Sequence, residues 1–150
     1  MQRAMGSEIL KVVNVELPDV LTAEAHTSSA IDTQMAVGGL LLVDLGVAEA
    51  GATVDVVVQH CATSDGSYAT LFTATQLTQA GDDDEMIYYL DIDFQNPNIN
   101  RYLKVVTTVG TDVTDGAVLL ILFGHRREAV SQPDDVAALA GSWATGIVPS

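Results

Sequence analysis

The segment that most narrows the fold is an uninterrupted apolar run at residues 117–123, AVLLILF. It is too short for a typical helix and rich in branched side chains, which is the composition of a strand. In a strand, Val118, Leu120 and Leu122 point to one face, and Leu119, Ile121 and Phe123 to the other. Both faces then want cover. A lone antiparallel sheet with one side in water does not give that; a central strand whose outer face meets an arm or a partner does.

The run does not stand alone. Residues 102–109, YLKVVTTV, read as a second strand, and the polar, glycine-containing stretch between them reads as a loop, so residues 100–128 are expected to form a hairpin. Upstream, TVDVVVQH sets Val54, Val56 and Val58 against Asp55, Val57 and Gln59, the pattern of a sandwich strand with one wetter face. Its partner is expected to follow at once, because Asp65 and Gly66 form a turn dipeptide just before the apolar-polar stretch from Tyr68 to Ala74. SSAIDTQMAVGGLLLVDLG offers strand-like pieces at about 29–36 and 38–45, and MIYYLDID places Tyr88, Leu90 and Ile92 on one side before Asn96, Pro97 and Asn98 close it.

Roughly seven or eight short strands at intervals of about 8 to 15 residues, with no convincing amphipathic helix between them, predict an all-β fold. The expected architecture is an antiparallel β-sandwich, a jelly roll by strand count, with extended arms at both termini. The boundaries read as an N-terminal arm at 1–25 carrying one or two strands, a sandwich at 26–127, and a C-terminal arm at 128–150. In that arm Pro133, Asp134 and Asp135 look like the first turn of a short helix over VAALA, stopped by Gly141. Trp143, Ile147 and Val148 are too few apolar residues for a core of their own, so they fold back on the sandwich or dock on a neighbour.

Composition bounds the partners. A chain of 150 residues fits one domain, and 48% hydrophobic against 17% charged residues argues against global disorder. Twenty acidic residues against six basic ones, a net charge of −14, would repel a phosphate backbone, so nucleic acid is not expected as a partner. Four of the six basic residues, Arg101, Lys104, Arg126 and Arg127, nevertheless belong to the expected hairpin or its exit. Such a local spot can orient an acidic protein on a partner. Cys61 is the only cysteine, so packing must supply the stability that an internal disulfide would otherwise give. No apolar run approaches the roughly 20 residues that cross a bilayer as a helix, and no signal-like start is seen, so no membrane role and synthesis in a cytoplasm are expected.

Chemistry is hard to place. His26, His60 and His125 are the only histidines, each near the end of an expected strand. Cys61 with His26 or His125 would be the conceivable nucleophile and base, since His60 points away from its own neighbour. The run Asp82-Asp83-Asp84-Glu85 lacks the spacing of a calcium loop and reads as a solvated tip. Asp91 and Asp93 share a face, and such a pair could serve glycoside hydrolysis, but aromatic sugar platforms are sparse at 5% aromatic residues. Phosphate-loop, CxxC and HExxH motifs are missing. The expectation is a non-enzymatic protein that needs no cofactor or metal.

The stretches SSAIDT, TVDVVVQHCATSDGSYATL and RYLKVVTTVGTDVTDGAVLLILFGHRRE together resemble the capsid decoration, or cement, proteins of tailed phages. The shared pattern is a strand ending in an S-D-G-S-Y turn, a later strand opening with R-Y-L, and a last aliphatic strand leaving into a basic tail. The resemblance covers about residues 27–128 and leaves out the arms. It implies a jelly-roll sandwich on the outside of an icosahedral head, a trimer or dimer that bridges major capsid proteins. On that reading Arg126 and Arg127 would pair with capsid carboxylates, while Trp143, with Ile147 and Val148, would anchor a capsid or subunit interface. The rival reading is a carbohydrate-binding or tail-associated adhesion module of the same sandwich class. It requires at least two of Tyr68, Tyr88, Tyr89 and Tyr102 on one exposed face.

Overall fold

The structure, a computed structural model, describes residues 10–21, 24–34, 36–48, 51–78, 86–110, 114–124, 136–145 and 147. Among these it holds twelve strands and no helix: β1 (Leu10–Leu21), β2 (Ala25–Thr27), β3 (Ile31–Asp32), β4 (Gly38–Ala48), β5 (Thr53–Cys61), β6 (Ala69–Ala74), β7 (Leu77–Thr78), β8 (Met86–Asp93), β9 (Tyr102–Gly110), β10 (Thr114–Phe123), β11 (Val136–Ala138) and β12 (Gly141–Trp143). One sheet runs β1-β10-β4-β8-β11. The other runs β12-β6-β5-β9-β2, with β3 also on β9 and β7 also on β5.

The pairs β1 with β10, β2 with β9, β4 with β8 and β5 with β6 are nested, all antiparallel. This winding of eight strands into two facing sheets is a jelly roll, the class the sequence predicts. The expected partner of β5 does follow at once, as β6. The expected hairpin over residues 100–128 does not form. β9 is bonded to β5 and to β2 and β3, whereas β10 is bonded to β1 and β4. Consecutive strands land in opposite sheets because each finds its long, well-matched partner elsewhere in the chain.

Strict alternation builds the core. β5 and β9 alternate half-buried and buried positions, putting Val54, Val56 and Val58 against the interior beside Leu103, Val105, Thr107 and Val109. The facing sheet contributes Leu41, Val43, Leu45, Leu90, Ile92, Val118, Leu120 and Leu122. Each fully buried aliphatic side chain contributes about 1.5–3 kcal/mol relative to exposure, so this double layer carries the fold without a disulfide. Gly38 and Gly39 let two rings reach the backbone of β4. A Cβ on Gly38 would meet the Phe123 ring at 2.8 Å outside the sandwich, and one on Gly39 the Phe94 ring at 3.0 Å inside.

The first and last described strands belong to the sandwich. β1 lies inside the stretch read as an N-terminal arm, yet it runs alongside β10 from Leu10 opposite Phe123 to Leu21 opposite Thr114, with two register shifts. The helix expected over VAALA is a strand: β11 adds in parallel to β8, with Val136 opposite Ile87. The open edge of β8 gives this backbone the partners that a helix would have supplied internally, overriding the helical preference of alanine. β12 then pairs with β6 in the other sheet. Between them Leu139 is buried, its N–H donating to the Tyr89 carbonyl at 2.6 Å, and the Ala140 carbonyl accepts from the Thr75 N–H at 2.6 Å. A Cβ on Gly141 would collide with the Thr73 carbonyl and the Phe72 ring, so only glycine lets the tail lie this close to β6.

Two stability outcomes follow from this packing. The buried Thr107 hydroxyl has no hydrogen-bond partner among the described residues, so Thr107→Val removes a desolvated polar group at constant shape and raises stability by about 1 kcal/mol in urea denaturation. Leu139→Ala lowers it by about 3 kcal/mol in the same measurement, because the tail supplies core rather than decoration.

Candidate functional site

The two outer faces of the sandwich differ in chemistry. On the β1-β10-β4-β8 sheet, register sets Val12, Ile121, Leu40 and Asp91 in one transverse row, and Leu119, Leu42 and Tyr89 in the next. Leu119, Ile121 and Phe123 are half-buried, as are Leu40 and Leu42, and Val12 is 62% exposed. Carboxylates interrupt it: Asp44, opposite Ala117 and Ile87, and Asp91 are exposed, and Asp93 is half-buried opposite Gly38, while Asn14 of β1 stands at the register position opposite Leu119. This is an apolar sheet face flanked by carboxylates.

The outer face of the other sheet carries rings and cations. Tyr102 lies opposite Cys61, and Lys104 opposite Gln59. The Lys104 ammonium sits 4.4 Å above the Tyr68 ring, and the Arg101 guanidinium 5.0 Å above the Tyr102 ring. Arg101 is fixed by a two-pronged bond to Asp32, Nε to Oδ1 at 2.8 Å and an Nη to Oδ2 at 2.6 Å. That bond, helped by the Gln34 N–H and by Lys11, holds the Asp32 carboxyl down at about 2. The Tyr68 hydroxyl donates to the Ser64 carbonyl at 3.1 Å. Four side chains of one patch, Arg101, Tyr102, Lys104 and Tyr68, are thus held in place before any partner arrives. The sequence marks Arg101 and Lys104 as a basic spot and Tyr68 and Tyr102 as candidate exposed rings, but not that they converge. The two-residue strand β3 that delivers Asp32, 69 residues away from Arg101, leaves no periodic signal.

The expected interface residues divide. Arg126, Arg127 and Val148 lie outside the described residues. Trp143 is half-buried against its own protomer, edge-on to Phe72 with ring centroids 5.0 Å apart, and Ile147 is buried in the protomer's own core. Trp143 and Ile147 thus pack on their own sandwich, as the fold-back alternative expects of them.

The candidate chemical groups are scattered. His26 stands on β2, 3.4 Å from Glu24, while Cys61 is buried at the far end of β5; His125 and the run 82–85 lie outside the described residues. Asp91 and Asp93 do share a face, but it is the flat outer face of the sheet, where Asp93 accepts from the Gln95 N–H at 3.0 Å. Among the described residues no three His, Cys, Asp or Glu side chains gather as a metal site, and no helix is long and apolar enough to cross a membrane.

No known protein-family profile matches the sequence, and no curated protein matches it. Among solved structures the chain is similar to a carbohydrate-binding module specific for non-crystalline cellulose, CBM28, at 15% identity and a TM-score of 0.36, over 85% of this chain and 78% of that one. A likeness of that size carries no functional argument.

His60 gives this region a pH response. Its Nδ1 accepts the Asn100 N–H at 3.1 Å, and burial pushes its pKa below the ordinary 6.5. The folded state therefore holds His60 neutral where the unfolded chain already binds a proton, and this contribution to stability falls as pH drops below 6.5 and levels off under the folded pKa. The urea midpoint is expected to be lower near pH 5 than near pH 8, with His60→Gln flattening that difference.

Proposed function

We propose that this chain is a non-enzymatic structural protein of a virion, a decoration protein that binds the outer surface of a phage head and bridges its major capsid proteins. The observation that carries the reading is the apolar outer face of the β1-β10-β4-β8 sheet. Water against Val12, Leu40, Leu42, Leu119 and Ile121 costs about 25 cal/mol for each Å² of apolar surface, and contact with another protein recovers that cost. A sandwich with such a face is suited to work inside an assembly, as a homotrimer or dimer held on a larger shell. The sequence resemblance over residues 27–128 supports a phage capsid as that shell, and on this reading Arg126 and Arg127 would pair with capsid carboxylates.

A second reading, a sugar-binding adhesion module, is favoured by one observation. Tyr102, opposite Cys61 on β9, and Tyr68, just before β6, lie near one another on one outer face, which meets the requirement for two aromatics on a common surface. Against it, a cation already lies over each ring, so neither offers two free faces for stacking on a sugar.

The test is to add the purified protein to heads assembled without it. Co-sedimentation at a fixed ratio to the major capsid protein, with density on the outer shell in electron cryo-microscopy, is the expected result. Binding to an array of immobilised glycans with no retention on heads would transfer the assignment to the second reading.

A further inference from the structure

The outer faces of the two sheets point in opposite directions and carry complementary chemistry. One is apolar and bordered by Asp44, Asp91 and Asp93; the other presents Arg101, Tyr102, Lys104 and Tyr68. Pairing the apolar face with its own copy across a two-fold axis would bury apolar surface, but it would give the carboxylates at its border no cation to meet. Like charges in a desolvating contact are strongly disfavoured, and this chain already carries −14. The opposite face has what that border lacks. Lys104 has no carboxylate partner among the described residues, and its ammonium is steadied by the Tyr68 ring rather than neutralised. Arg101 and the two tyrosines beside it are residue types that dominate interface energetics, and their fixed rotamers reduce the entropy lost on contact.

We propose that copies of this chain associate head to tail, the Tyr68–Lys104–Tyr102–Arg101 patch of one protomer seated on the Asp-bordered apolar face of the next. Leu40, Leu42, Leu119 and Ile121 supply the apolar centre, and Lys104 answers the carboxylates at its border. Because the two surfaces are on opposite sides of the sandwich, the contact is heterologous. It closes into a ring when the rotation between protomers allows and otherwise continues as a chain. The proposal deepens the self-association in the functional reading and rests on it only for the existence of an assembly.

Sedimentation velocity on the full chain, without heads, tests it. The wild type self-associates at about 0.15 M salt, where the charge of −14 on each copy is screened and the apolar contact is kept. Ile121→Asp, which spoils the apolar face, and Lys104→Glu, which spoils the cationic one, each weaken association by about tenfold or more. An equimolar mixture of the two variants yields a 1:1 dimer, because one intact copy of each surface remains. Circular dichroism melts confirm folding, and Leu42→Lys replaces Ile121→Asp if that variant unfolds. Full assembly by Lys104→Glu alongside loss in Ile121→Asp would mean that the apolar face pairs with itself. A mixture that stays monomeric, or a wild type that is monomeric at every concentration, overturns the proposal as well. Any of these results leaves docking on heads untouched, since heads are absent from the experiment.

Discussion

The bonding of β10 to β1 on one side and β4 on the other is the constraint on which the rest of the molecule depends. It fixes Val118, Leu120 and Leu122 against the second sheet, where they are almost wholly buried. Because a strand's side chains alternate, the same bonds fix Leu119, Ile121 and Phe123 on the outside. A shift by one residue would exchange the two sets without relieving either, since both are apolar. Register must therefore be set by the neighbours. Gly38 helps set it: its missing side chain makes the space that the Phe123 ring occupies, and no neighbouring residue of β4 on that face except glycine would accept the ring so closely.

What could be read from the sequence follows the same logic. β5 and β9 announce themselves because each alternates half-buried and buried positions for eight residues or more, and β10 by its short, branched apolar run. Alternation reveals that a segment is a strand and which residues point inward, but it is silent on the partner. Residues 100–128 look like a hairpin on local grounds, and only the nested winding sends β9 to β5 and β10 to β1 and β4. Strands of two or three residues, such as β3, β11 and β12, have no period to detect; they exist because a longer strand offers an open edge. The rings and cations of the second face were individually visible, as Tyr68, Arg101, Tyr102 and Lys104. Their convergence depends on the β5 and β9 register and on Asp32 arriving from a distant, two-residue strand.

The C-terminal stretch illustrates how a sandwich manages its edges. Sheet edges expose unpaired donors and acceptors that invite uncontrolled pairing. β11 occupies the edge of β8 and β12 the edge of β6, so one short segment closes both sheets on the same side. Leu139 and Ile147 drop into the core and Trp143 rests on Phe72, which turns a tail with few apolar residues into a fastener between the sheets. The sandwich is protected at this side, and its faces rather than its edges are left to meet other molecules.

Charge then separates those two faces in role. A surplus of fourteen negative charges keeps copies apart at long range and makes any contact between them depend on local pattern and on salt. Apolar area alone would favour many alignments of two sheet faces, because burial is non-directional. Carboxylates at Asp44, Asp91 and Asp93 exclude those alignments that face acid with acid, and a cation steadied on an aromatic ring rewards those that do not. The apolar face thereby supplies the drive toward contact, while the sparse charged residues around it decide which contact is made.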